Sequence, residues 1–200
     1  MIVAWCDRLN QKSESQLERE DLSKKLDPHK GLFLPYGCGA VLVKDGQKLK
    51  NAFSFNSDYL ADVYDPQTSS PADFSPELTR HFRGLRLWFS LKLFGLAAFS
   101  AALEEKLSLA QYAYQELSKN PAVEMGPFPQ LSTVTFRLKS DNETDALLRK
   151  LLNRGRVHLS STRLKERLYL RLCILCFRSH QKDVDVALEE IRCTISTLQE

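Results

Sequence analysis

Apolar residues recur along this chain in two periods, and the switches between them mark out most of its elements. Cys38 to Val43 is a short apolar run without alternation, closed by Lys44-Asp45-Gly46, a good turn signal. It predicts a strand buried on both faces. Helical spacing starts at Glu77 and runs to Phe94, with Gly95 as a break. A long second helix follows, on which Phe99, Leu103, Leu107, Ala110, Tyr114 and Leu117 share a face, and Asn120-Pro121 ends it. The spacing next predicts a strand over 132–138, with Val134, Phe136 and Leu138 on one face. A helix carrying Leu147, Leu148, Leu151 and Leu152 comes after it, capped by Asp141 or Asn142 and stopped near Gly155. Strands are expected over 157–160 and 168–177. A final amphipathic helix is striped by Val184, Leu188, Ile191, Ile195 and Leu198. Two polar stretches lack this order. Residues 7–26 are strongly charged and read as a solvated helix or a disordered segment. Residues 56–76, rich in Asp, Ser and Pro, read as a long loop of the kind that is usually functional or disordered.

Composition changes this picture little. Two hundred residues suffice for one or two modest domains with a real core, and a net charge of +3 gives no reason to expect nucleic acid. Arg80, Arg83 and Arg86 interleave with aromatics, which superficially suggests a polyanion groove, but packing or surface charge explains them as well. Five cysteines without regular spacing argue against a secreted disulfide framework, and Met1 to Cys6 is too short for a signal peptide. The most apolar segment, 87–103, is interrupted by Lys92 and short for a membrane span, so it reads as a buried helix. The expectation is a cytoplasmic protein with neither membrane nor nucleic acid among its partners. Cys173 and Cys176 form a Cys-x-x-Cys with no second ligand pair, and read as apolar core cysteines; no metal site is expected.

Chemistry concentrates in Asp27-Pro28-His29-Lys30-Gly31. Pro28 fixes its own φ and keeps Asp27 out of the helical region, which predicts a loop position for Lys30. A lysine placed this way is suited to Schiff-base formation with an aldehyde cofactor. A second candidate stands in the 168–177 strand, where Leu168, Leu170, Leu172 and Ile174 share one face and Arg171 falls on the other. A guanidinium in so apolar a strand needs a partner, either a substrate carboxylate or an acid of the protein.

Asp-Pro-His-Lys at 27–30 resembles the cofactor-lysine motif of the group II pyridoxal-phosphate-dependent amino-acid decarboxylases, the family of the aromatic-amino-acid, histidine and glutamate decarboxylases. Three further stretches follow in the family's order and spacing: Asp58-Tyr59-Leu60, the run Arg80-His81-Phe82-Arg83-Gly84-Leu85-Arg86-Leu87-Trp88-Phe89, and Leu168-Tyr169-Leu170-Arg171-Leu172. The resemblance runs from about Asp27 to the C-terminus. Asp27 stands where the animal enzymes mostly have Asn, and Gly31 where they often carry a bulky residue, so the substrate is not carried over.

The resemblance implies an α/β protein, the C-terminal part of a fold-type I transferase. Its parts are a divergent charged segment over 1–26, the end of the cofactor-binding large domain over 27–97 with a mobile loop at 56–76, and a linking helix with a small α+β domain over 98–200. It makes Lys30 the residue that binds pyridoxal 5'-phosphate and places His29 near the cofactor phosphate. Tyr59, on the mobile loop, becomes the donor of a proton to the substrate after carbon dioxide leaves, with Tyr64 as a competitor. Arg171 becomes the partner of the substrate α-carboxylate. The implied activity is decarboxylation of an amino acid to an amine, by a homodimer in the full-length form. Residues 1–26 offer no match to the phosphate-binding loop, the stacked aromatic or the acid at the pyridine nitrogen. That leaves two other readings: a non-catalytic fragment acting only through subunit interaction, and the same fold performing transamination or oxidative deamination. Weak cofactor binding, no decarboxylation by the isolated chain, and uncovered apolar surface at Cys38–Val43 and 87–103 are the matching expectations.

Overall fold

In the computed structural model, which describes residues 2–5, 24–53 and 70–199, the chain divides into two units, Met1–Gly95 and Leu96–Glu200. The first is organised on a three-stranded sheet of β1 (Ile2–Trp5), β2 (Lys24–Leu26) and β3 (Ala40–Val43), in the order β1-β3-β2. β3 lies in the centre, parallel to β1 and antiparallel to β2. It starts at Ala40, two residues after the expected Cys38, and is not fully buried on both faces as its apolar run implies. Ala40 is buried, and Val41, Leu42 and Val43 are half-buried. β1 and β2 were not legible beforehand: β2 lies in the charged stretch read as solvated helix or disorder.

The segment Pro28–Gly31 forms α1, and Gly46–Phe53 forms α2. Pro71–Phe74 closes a 3-10 turn in which Ser70 and Asp73 cap one another. The rest of the anticipated long loop, and Tyr59 with it, lies outside the described residues. Helix α3 spans Arg83–Ser118 and starts later than its apolar spacing implies. The side chains just before it are otherwise engaged. Glu77 accepts two hydrogen bonds from Arg83 at 2.6 and 3.3 Å, which holds its carboxyl below the usual range, and Ser75 accepts from Arg80. Gly95 (φ 75°, ψ 159°) breaks α3 where the two units meet in sequence, a backbone conformation that only glycine adopts without strain.

The expectation of a buried helix over 87–103 is corrected. Of that stretch only Phe99 is buried, while Trp88, Phe89, Leu93, Phe94 and Leu96 are exposed. Apolar residues surround the helix on all sides there, more than the sheet and two short helices described in the first unit cover. By length and composition α3 could cross a membrane, though Gly95 interrupts it and Lys92, Glu104 and Glu105 divide its apolar run.

The second unit is a two-layer α+β domain. Its sheet, in the order β4-β5-β7-β6, is built of β4 (Glu124–Met125), β5 (Thr133–Arg137), β6 (Ser160–Leu164) and β7 (Arg167–Cys173), all antiparallel. The second part of α3, with α4 (Asp141–Arg154) and α5 (Gln181–Gln199), packs on one face. Val134, Phe136, Leu147, Leu151, Leu170 and Ile191 are fully buried between the layers, on the faces their periodicity implies. Ser140, not Asp141 or Asn142, caps α4. Its hydroxyl accepts from the Glu143 backbone N–H, while the Glu143 carboxylate accepts from that of Ser140. Gly155 ends the helix in the left-handed region (φ 68°), as expected.

The hairpin between β6 and β7 shifts both strands from their expected bounds. Its turn is Lys165-Glu166, both with positive φ (49° and 64°), a geometry usually signalled by Asn or Gly. Without that signal the turn, and hence the register, was not readable.

Asp141 is released from capping for another role. Its carboxylate accepts from the Leu168 backbone N–H at 3.1 Å and lies 3.1 and 3.3 Å from Arg137 and Arg163. These contacts, the backbone bond first, hold its carboxyl below the ordinary value. A depressed folded value stabilises the fold above the unfolded pKa, about 3.9, and that contribution is lost as pH falls through the folded value. The melting temperature followed by circular dichroism between pH 3 and 7 should therefore drop at the acid end. Asp141→Asn should lower stability at neutral pH and flatten the acid limb; an unchanged limb would remove Asp141 from the acid transition.

Candidate active site

Lys30 lies within the single turn of α1 rather than on a loop. Pro28 explains this: it occupies the first helical position, where its fixed φ is pre-organised and its missing N–H costs nothing. Asp27 stays outside the helical region (φ −105°, ψ 83°), as a residue before proline must, and its carbonyl accepts from the Lys30 and Gly31 backbone N–H groups. The Lys30 ammonium donates to Asp27 Oδ2 at 2.8 Å, with the lysine side chain 62% exposed. An ion pair so open to water is weak, and the amine is accessible to a ligand.

The adjoining loop fixes His29. Its Nδ1 donates to the Cys38 carbonyl at 2.7 Å, and the ring meets Tyr36 edge-on at 5.1 Å. Because a carbonyl only accepts, Nδ1 carries the proton and Nε2 is the nitrogen left for a ligand. Cys38 is fully buried. Gly37 (φ 84°) lets the loop turn where Arg86 Nη1 donates to the Tyr36 carbonyl, and a Cβ there would stand 3.1 Å from that nitrogen. Arg80, Arg83 and Arg86 thus bond to Ser75, Glu77 and the Tyr36 carbonyl.

Arg171 occupies the sheet face opposite the helices of the second unit, as its alternation implies. By register it sits between Thr135 of β5 and Ser160 of β6. Next along that face, Arg137 lies over the Tyr169 ring at 5.6 Å, with Glu124 at 3.7 Å and Asp141 at 3.1 Å. Arg167 pairs with Glu124 and Arg163 with Asp141, so both acids are committed to other arginines. The Arg171 side chain is half-buried and has no hydrogen bond or ion pair among the described residues. An acid of the protein was one of its two possible partners, and no described acid takes that place. Thr135 and Ser160 went unnoticed in the sequence because only strand register brings them beside Arg171.

Tyr59 and Tyr64 lie outside the described residues. Cys173 and Cys176 are both exposed, contrary to the core reading: β7 stops at Cys173, which leaves Cys176 beyond the strand. The Arg178 backbone N–H and guanidinium draw the Cys176 thiol below its usual pKa. Among the described residues no cluster of His, Cys, Asp or Glu is arranged to hold a metal.

The Pyridoxal-dependent decarboxylase conserved domain matches residues 8–139, Lys30 among them. The chain belongs to this family. The match begins upstream of Asp27, so the decarboxylase resemblance extends further towards the N-terminus than the motifs suggest. An aromatic-L-amino-acid decarboxylase of Bacillus atrophaeus is 36% identical over 180 residues, covering 82% of this chain and 37% of that protein. A 3,4-dihydroxyphenylacetaldehyde synthase of Drosophila melanogaster is 28% identical over 194 residues, covering 91% and 38%. The chain thus spans well under half the length of these relatives. A solved structure of Oryza sativa TDC with PLP and tryptamine superposes with a TM-score of 0.83 at 22% identity, over 92% of this chain and 40% of that one, and shares its fold. That fold is fold-type I, here in part, with mixed helix and sheet. An accessible primary amine beside an oriented imidazole is a donor set that fits the cofactor of a pyridoxal-dependent decarboxylase.

Proposed function

We propose that this chain carries the cofactor lysine and the carboxylate-binding arginine of a pyridoxal 5'-phosphate-dependent amino-acid decarboxylase. The observation that carries the reading is the exposed Lys30 amine, held on a proline-started turn inside the segment that matches the family. When bound, the cofactor supplies the electron sink for the bond broken at the substrate Cα. Lys30 supplies the amine that holds the aldehyde and must leave Asp27 to do so. His29 Nε2 serves the phosphate. Arg171 grips the substrate α-carboxylate by its planar fork, and Tyr59 returns a proton to Cα. The exposed stripe of Trp88, Phe89, Leu93 and Phe94 suits burial against a second copy in a homodimer, and four free cysteines among the described residues suit a cytoplasmic setting.

Borohydride reduction in the presence of pyridoxal 5'-phosphate, followed by peptide mapping, tests the lysine. Label concentrated on Lys30 is the expected result, and label spread evenly over surface lysines would overturn the assignment. Arg171→Lys keeps the charge but loses the fork, so amino-acid binding measured by titration calorimetry should weaken by about tenfold at unchanged melting temperature. A lower melting temperature with unaltered binding would make Arg171 structural.

A second reading, decarboxylation coupled to oxidative deamination, draws support from the acetaldehyde synthase among the relatives. In it molecular oxygen takes the electrons as hydrogen peroxide, and carbon dioxide, ammonia and an aldehyde leave. Tyr59→Phe separates the two in the full-length protein. A decarboxylase should lose amine and gain aldehyde when the phenol is removed, whereas aldehyde as the chief product of the unaltered protein would favour the second reading.

A further inference from the structure

The row Thr135–Arg171–Ser160 on the sheet of the second unit has more to offer a carboxylate than the guanidinium. Residues directly opposite in antiparallel strands point to the same face with Cβ atoms about 4.5–5.5 Å apart, so both hydroxyls flank the root of the Arg171 side chain. All three side chains are half-buried, and none has a hydrogen-bond partner among the described residues. Half-buried hydroxyls on both sides of a cation with no described partner are donors still open to a ligand. In the neighbouring row Arg137 is buried with Tyr169, Glu124 and Asp141 about it, although its Nη1 makes no hydrogen bond among the described residues. Gly126 bonds to Thr135 from the β4 edge of β5, opposite β7, and a Cβ there would stand 2.1 Å from Thr135 Oγ1. That hydroxyl therefore leans towards β4 and reaches the Arg171 side by rotation about χ1. The absence of a side chain leaves room for that hydroxyl.

We propose that Thr135 and Ser160 are substrate-positioning residues, whose hydroxyls donate to the outer lone pairs of the carboxylate that Arg171 holds. The inference rests on the reading of Arg171 as the carboxylate partner. A carboxylate gripped by a guanidinium fork retains one acceptor site on each oxygen, and a hydroxyl from each neighbouring strand can fill one. Three donors fix the plane of the group, which a lone arginine leaves free to rotate about its own axis. That plane sets the direction in which the Cα–carboxylate bond points.

The test compares L-tryptophan with tryptamine, which lacks the carboxylate, by calorimetric titration of the full chain and its variants. Ser160→Ala and Thr135→Val should each weaken L-tryptophan binding by roughly tenfold and leave tryptamine unmoved. Ser160→Thr and Thr135→Ser, which keep a hydroxyl, should restore it at least in part. If Thr135→Val fails to fold, Ser160→Ala with its rescue decides. Weakening by Arg171→Lys but by neither hydroxyl variant would overturn this inference and leave the arginine assignment standing. Equal binding of L-tryptophan by the unaltered chain and by Arg171→Lys, or no carboxylate-dependent binding at all, would overturn both.

Discussion

With Lys30 replaced by alanine, borohydride reduction should leave the peptide around residue 30 unlabelled, and on the proposed function amine formation should fall by roughly a hundredfold or more. The size of the loss follows from what the amine does: it brings the aldehyde to one defined place, and no neighbouring group can substitute. His29 is tied to the Cys38 carbonyl through Nδ1, and an imidazole is not a primary amine. The informative companion is Lys30→Arg. It keeps a cation for Asp27 but presents a guanidinium, which stays protonated and does not add to an aldehyde. Because the Lys30 side chain is 62% exposed, both variants should melt within about 0.5 kcal/mol of the unaltered protein. Loss of label with unchanged stability identifies a chemical role. Label persisting elsewhere in the Lys30→Ala protein would show that the reactive lysine is another one.

The largest effect on stability is expected at Phe136. Its ring is fully buried on β5, between β4 and β7 and under the helices of the second unit. Phe136→Ala should cost about 3–5 kcal/mol, most of what a domain of this size can spare. Urea unfolding followed by far-ultraviolet circular dichroism should show the second unit losing its cooperative transition or shifting it far to low denaturant. Phe89→Ala, on the exposed part of α3, serves as the control and should change monomer stability by less than about 0.5 kcal/mol. A Phe136→Ala protein as stable as that control would mean that the two layers do not share the core described above.

Legibility in the sequence followed the range over which each feature is determined. The stripe of α5, that of α4 apart from the exposed Leu152, the core face of β5, the Gly155 cap and the Gly95 break all arise within a few residues and are readable. Pro28 was read only in part. Its effect on Asp27 was correct, but its preference for the first position of a helix carried Lys30 into a turn. Features set by distant residues were hidden. β2 hydrogen-bonds to a strand beyond α1, and the Lys165-Glu166 turn lacks its customary residues. For the site, Lys30, His29 and Arg171 were legible as residues through the motifs. That Arg171 has no described acid beside it depends on Glu124 and Asp141 being claimed by other arginines, which only the folded sheet decides. The cysteines were misjudged because strand β7 is shorter than its apolar run.

The Lys165-Glu166 turn also bears on the order in which the second unit assembles. A hairpin usually offers a chain its cheapest early contact, since its turn forms locally and the strands zip from it. Here both turn residues sit in the left-handed region, which costs a non-glycine residue roughly 1–2 kcal/mol. The turn is therefore a poor nucleus, held in place by strands that must already be paired. The competing contact, β5 with β7, joins Thr133 to Cys173 across 40 positions and encloses all of α4 and β6. A sheet obliged to close its longest loop before its shortest one folds slowly for its size, and exposes its strand edges while it does so.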